Sequence, residues 1–134
     1  MPPQKPPIPM FSSSVACGFP SPAEESIEQM TSLDDIAIHA PAATFMVRAA
    51  SDSMTGAGIF PGDVLVVDRS RKPRNNDIVI AVVNGEFTCK RLCIHKQAVT
   101  LRPDNPKHSP ILISPEDDFM IWGVCTFNLH RLSP

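Results

Sequence analysis

No stretch of this 134-residue chain concentrates lysine or arginine: twelve basic residues stand against fourteen acidic ones, for a net charge of -2. A face that tracks nucleic-acid phosphates needs clustered positive charge, so direct sequence-specific DNA binding is not expected. Long apolar runs are missing too. The longest, "IVIAVV" at Ile78 to Val83, is far short of the ~20 residues of a membrane span, and no apolar signal core opens the chain. A cytoplasmic protein with no membrane partner is the expectation. The four cysteines (Cys17, Cys89, Cys93, Cys125) and four histidines (His39, His95, His108, His130) form no C-x-x-C or H-x-x-x-H pair, so no metal or other cofactor is expected. In a reducing compartment Cys89, Cys93 and Cys125 read as small hydrophobes on strands, whereas Cys17 asks for a separate account. With 43% apolar and 19% charged residues, the chain suits one domain with a modest core, and nothing marks a second.

The texture changes once, near Ser21. Before it, "MPPQKPPIPMFSSSVA" places five prolines in its first nine residues and then a serine run, a composition that can neither hold a helix nor bury much surface. Residues 1–20 are therefore read as a mobile or loosely docked arm, and residues 21–134 as the folded domain. Ser21 as N-cap, Pro22 at the first helical position and Glu24 three residues after the cap form a capping box, which predicts a helix of two to three turns ending near "TSLDD".

From Ala43 onward the chain favours strands: "TFMVRAA", "DVLVVD", "DIVIAVV", "EFTCKRLCI", "AVTLRP", "ILI" and "FMIWGVCTFNL" are short, rich in β-formers and divided by Gly, Pro, Asn and Asp. Asn84-Gly85 supplies the two positive φ angles of a type I′ hairpin, so Asp77 to Val83 should pair antiparallel with Glu86 to Ile94. The first of these is apolar on both faces, which argues for a central, doubly covered strand. The fold class is mainly β, compact and mostly antiparallel, with a short N-terminal helix.

Two places in this region suggest chemistry. In "AASDSMTGAGIFPGDVLVVD", Ser53 follows a strand in a tight turn, where a hydroxyl and backbone N–H groups can converge on one carbonyl. By itself the local sequence favours a plainer role, Ser53 or Asp52 capping a one-turn helix. A nucleophilic serine needs a base, and no histidine lies in a recognisable catalytic context. Lys90, in "GEFTCKRLCI", comes 37 residues later (90 minus 53) on a strand that should pair with the most buried segment. A free lysine titrates near roughly 10.4, so service as a base requires it to lose about three units, around 4 kcal/mol. Burial can supply that. Strand alternation leaves open whether Lys90 or Arg91 faces the site, but arginine cannot give up its proton, and Thr88 could aim the lysine amine. Alone, Lys90 reads as a solvated strand lysine.

Order, spacing and surroundings give these signals more weight. "ACGFPSPAEE", "FMVRAASDSM", "GDVLVVDRS", "DIVIAVVNGEFTCKRL" and "IWGV", between about Ala16 and Val124, resemble the LexA and UmuD self-cleaving proteins of the S24 peptidase family. The resemblance is to the UmuD type that serves SOS mutagenesis, in particular its mobile-element MucA and RumA group. It implies a LexA/UmuD-like fold and an autoproteolytic serine peptidase with Ser53 as nucleophile and Lys90 as general base. It also implies Thr88 as the group that orients the lysine, the backbone N–H groups of Asp52 and Ser53 as oxyanion hole, and Cys17-Gly18 as the bond cut. On that comparison Cys17 serves for its small size, Gly18 for its lack of Cβ, and Pro20 and Pro22 keep the segment out of regular structure. The implied partners are a second copy of the chain, a RecA filament on single-stranded DNA that stimulates cleavage, and the UmuC-like catalytic subunit of a Y-family translesion polymerase. Ser51 stands where the family usually has glycine, and the proline-rich arm replaces a longer, more apolar one. A non-cleaving regulatory module for the polymerase or RecA is the competing reading, followed by a peptidase acting in trans. A LexA-like repressor fits less well, because an arm of about 20 residues cannot hold a helix-turn-helix.

Overall fold

The computed structural model describes residues 6–11 and 27–134. The chain divides into two compact units, Met1–His39 and Ala40–Pro134. The arm boundary near Ser21, the capping box at Ser21, Pro22 and Glu24, and the bond between Cys17 and Gly18 lie outside the described residues.

In the first unit, strand β1 (Ile8–Phe11) pairs antiparallel with β2 (Ile27–Thr31). Part of the proline-rich arm is thus a strand. Pro9 lies within it opposite Met30, as it can in a two-stranded sheet, where both strands are edges and a missing N–H is tolerated. The helix expected after Ser21 is corrected by this pairing, since Ile27–Thr31 is extended. A short helix, α1 (Leu33–Ala37), begins only after it, and the Ser32 Oγ accepts the Asp35 N–H at 3.1 Å as its cap.

The second unit is a seven-stranded, wholly antiparallel sheet. Its strands are β3 (Thr44–Arg48), β4 (Val64–Asp68), β5 (Ile78–Val83), β6 (Glu86–His95), β7 (Ala98–Arg102), β8 (Ile111–Leu112) and β9 (Phe119–Leu129), in spatial order β3-β4-β9-β5-β6-β7-β8. Each of the seven segments expected from the sequence forms one strand, in a mostly antiparallel β architecture. Asn84 and Gly85 have φ of 50° and 85°, and the β5–β6 ladder runs from Val83↔Glu86 to Ile78↔Arg91. Asn84 is braced by its side chain, which donates to Asp117 at 2.9 Å and accepts from the Asp118 N–H at 2.8 Å.

Strand β5 lies at the middle of the order, between β9 and β6. Its alternate residues feed two separate clusters: Ile80 joins Met54, Ile59, Leu65 and Val67, while Val79 and Ala81 join Leu92, Leu101 and Val124. That division is what a strand apolar on both faces requires. Each buried aliphatic side chain contributes roughly 1.5–3 kcal/mol relative to exposure. Strand β9 bulges twice, once against Ile80 and Ala81 and once against Val66 and Val67, and so keeps both β4 and β5 as neighbours along its eleven residues.

Candidate active site

Ser53 sits on the turn that leaves β3. Its neighbour Met54 is buried in the first apolar cluster and fixes the turn to the core, and Ser53 itself is only 4% exposed. The 3₁₀ turn at Thr55–Ala57 starts without a side-chain cap, so neither Ser53 nor Asp52 has the capping role that the local sequence favoured. Behind the turn, Ala49 exchanges backbone bonds with the Gly62–Asp63 segment, its N–H donating to the Asp63 carbonyl and its own carbonyl accepting from Gly62, both at 2.8 Å. Gly62 has φ of 92°, a region that a residue with Cβ enters only at a cost.

Lys90 reaches this turn from β6, where it lies across the ladder from the fully buried Val79. Its Nζ stands 3.0 Å from Ser53 Oγ, 2.8 Å from Thr88 Oγ1 and 3.2 Å from the Cys89 carbonyl oxygen. Three acceptors match the three N–H groups of an ammonium. They equally match a neutral amine, which would donate to Thr88 and Cys89 and accept the Ser53 O–H on its lone pair. Burial lowers the Lys90 pKa from its ordinary value, and the adjacent Cys89 sulfur partly opposes that. The cation left open by strand alternation is therefore Lys90, while Arg91 turns away to Asp104 and the Asn76 carbonyl.

Ser53 and Lys90 line a cleft of about 280 Å³ whose other walls include Val47, Ala49, Met54, Ile59, Leu65 and Ile80. A hydroxyl and an amine of lowered pKa in an apolar cleft can do acyl-transfer chemistry, because each electrostatic contact is stronger where water is excluded. Of the expected site residues, the structure brings together Ser53, Lys90, Thr88 and, by chain adjacency, Asp52. Cys17 and Gly18 lie outside the described residues. Among the described residues, no group of three or more His, Cys, Asp or Glu side chains is placed to hold a metal ion. Cys89, Cys93 and Cys125 are half-buried free thiols on β6 and β9.

Several groups around the turn escape sequence reasoning. The Ser53 N–H donates to Ser51 Oγ at 3.0 Å. Asp52 is held twice from residues 103–110, by Asn105 Nδ2 on its carbonyl at 2.9 Å and by His108 Nε2 on Oδ1 at 2.6 Å. The His108 contact keeps the Asp52 carboxyl below its usual range, outweighing the opposite pull of burial. These partners are more than 50 positions apart, and only a common turn signal, "PDNPKHSP", marks their segment.

The family model described as Peptidase S24-like matches residues 9–126. Protein ImpA of Escherichia coli is 45% identical over 129 residues, covering 92% of this chain and 83% of that protein. Protein SamA of Salmonella typhimurium is 42% identical over 123 residues, with 92% and 85% covered. The LexA repressor of Bordetella avium is 37% identical over 110 residues, which span 82% of this chain and 51% of the repressor.

Proposed function

The chain belongs to the S24 peptidase-like family, and from that membership we propose that it is a self-cleaving serine peptidase of SOS mutagenesis whose Ser53 attacks and whose Lys90 takes the proton. The observation that carries this reading is the 3.0 Å approach of Lys90 Nζ to Ser53 Oγ in an apolar cleft. In the neutral state the amine accepts the Ser53 proton as Oγ bonds to the Cys17 carbonyl carbon. The backbone N–H groups of Asp52 and Ser53 receive the oxygen that becomes negative. As the Cys17-Gly18 bond breaks, Lys90 returns its proton to the departing Gly18 nitrogen, and water then hydrolyses the ester left on Ser53. Thr88 and the Cys89 carbonyl hold the amine on line throughout. The apolar walls suit the small side chains of Val15, Ala16 and Cys17, and Gly18 allows close approach.

Cleavage there leaves residues 18–134, 117 residues (134 minus 17) that retain all seven strands of the larger sheet. The shortened chain, as a homodimer, serves as accessory subunit of a Y-family translesion polymerase. A RecA filament on single-stranded DNA raises the cleavage rate by favouring the docked arm and contributes no catalytic group of its own.

The test is mass spectrometry of the chain incubated with RecA, ATP and single-stranded DNA, beside Ser53→Ala and Lys90→Ala chains. A fragment starting at Gly18 from the wild type alone is the expected result. Equal cutting of either variant removes the assigned chemistry. A wild-type chain that stays intact throughout favours a regulatory module that works through contacts only. Mixing a Ser53→Ala chain with an active one separates cutting within a chain from cutting between chains.

A further inference from the structure

We infer that Ser51 is a brake on self-cleavage: its hydroxyl occupies the Ser53 N–H that must receive the carbonyl oxygen of the bond being cut. The inference rests on the reading of Ser53 as nucleophile. A backbone N–H has one hydrogen and supports one good bond, and here that bond goes to Ser51 Oγ at 3.0 Å. A substrate oxygen can take this donor only after the hydroxyl leaves. Ser51 lies in the cleft wall and is exposed, so rotation about χ1 can carry Oγ into water, at the cost of this one bond. Two states follow, one with the N–H taken and one with it open to the oxyanion. Tethering makes the hydroxyl a competitor present each time the arm docks.

The turn does not need this hydroxyl for its shape. The Asp52 carbonyl is held by Asn105 Nδ2 at 2.9 Å and by the Thr55 N–H at 3.3 Å, and the Asp52 carboxylate by His108 at 2.6 Å. Met54 is locked in the core on the other side. Removing Oγ therefore frees the donor and leaves the turn in place. The three contacts of Lys90 do not include Ser51, so the base should titrate as before.

The experiment follows self-cleavage of the full chain across mildly to strongly alkaline pH for wild type, Ser51→Ala, Ser51→Thr and Ser53→Ala, with a melting curve for each. Ser51→Ala is expected to cut about two- to tenfold faster, the range that one net hydrogen bond commands. Its pH midpoint should match wild type and its melting temperature should fall by no more than the loss of that one bond explains, and Ser51→Thr, which restores the hydroxyl, should stay near the wild-type rate. The brake is overturned if wild type is cut but a folded Ser51→Ala is no faster, if Ser51→Thr is accelerated equally, or if the gain comes with a shifted pH midpoint. Cutting of Ser53→Ala, or of none of the chains at any pH, overturns the nucleophile reading instead, and the brake with it.

Discussion

Arg91 grips Asp104 through two guanidinium nitrogens, Nη2 at 2.7 Å and Nε at 3.2 Å from Oδ2. The pair joins β6, one residue past Lys90, to the segment whose backbone holds the serine turn: the Asp104 carbonyl accepts from Gly56 at 2.7 Å, and its N–H points at Met54 Sδ at 3.4 Å. Replacing Arg91 by Met should cost about 1–2 kcal/mol of stability, since the pair is only partly exposed. It should slow self-cleavage by more than that loss explains, because the two halves of the site lose a shared strut. Chemical denaturation and cleavage rate, measured on the same sample, check this; a rate unchanged beside a lowered stability would make the pair purely structural.

A second expectation concerns pH. Burial holds the Lys90 pKa below its ordinary value, so the cleavage rate should rise with pH and level off before the ~10.4 of a free lysine. The linkage has a sign. Between the lowered folded value and the unfolded one, the unfolded chain binds the extra proton, so the contribution of this group to stability rises with pH. Lys90→Met should cut about 10²–10⁴-fold more slowly while changing stability by less than about 2 kcal/mol. A flat pH–rate profile in the wild type would sink the assignment.

Acid should act through Asp63. Its carboxylate is only 4% exposed and accepts from the Phe60 N–H, Asn128 Nδ2 and His130 Nδ1 at 2.8, 2.8 and 2.6 Å. Burial pulls its pKa up, but these three bonds outweigh it and bring the value from 3.8 to about 2. The stability it contributes is complete above 3.8 and lost as pH falls toward 2. Asp63→Asn should therefore melt below wild type at neutral pH, and the gap between the two should close across that acid window. A gap that stays constant with pH would mean that the carboxylate charge is not what the site uses.

Gly123 gives a test of packing. A Cβ there would stand 2.7 Å from Val67 Cγ1 and 3.2 Å from the Asp68 carbonyl oxygen. Val67 is fully buried and cannot retreat, so Gly123→Ala should cost about 1–3 kcal/mol. Urea denaturation measures it, and a neutral result would show that the β4–β9 crossing is looser than its contacts indicate.

The larger sheet was legible because its signals are local: each strand is bounded by turn residues, and Asn84-Gly85 fixes one register outright. The N-terminal helix was misplaced because Ser21, Pro22 and Glu24 carry a capping signal while Ile27–Thr31 answers to a distant partner, Ile8–Phe11. A second capping pattern, Ser32 with Asp35, lay where the helix was expected to end and marks its start. The convergence of Ser53, Lys90 and Thr88 on one place was legible from order, spacing and family resemblance. His108, Asn105 and Asp104 were not, since their roles arise only when a loop 50 or more positions away folds onto the turn; Ser51 stood out as a departure from the family's glycine, but its bond to the Ser53 N–H depends on the local shape of the turn.

The β1–β2 ladder acquires a different thermodynamic character if the chain is cut between Cys17 and Gly18. Its four residue pairs, Ile8↔Thr31 to Phe11↔Ile27, would then join two separate peptides. A contact that had been unimolecular becomes bimolecular and obeys mass action: dilution releases the short peptide and strips β2 of its partner, while a high local concentration keeps both in place. The same scission that consumes the substrate thereby turns a fixed edge of the molecule into a reversible one.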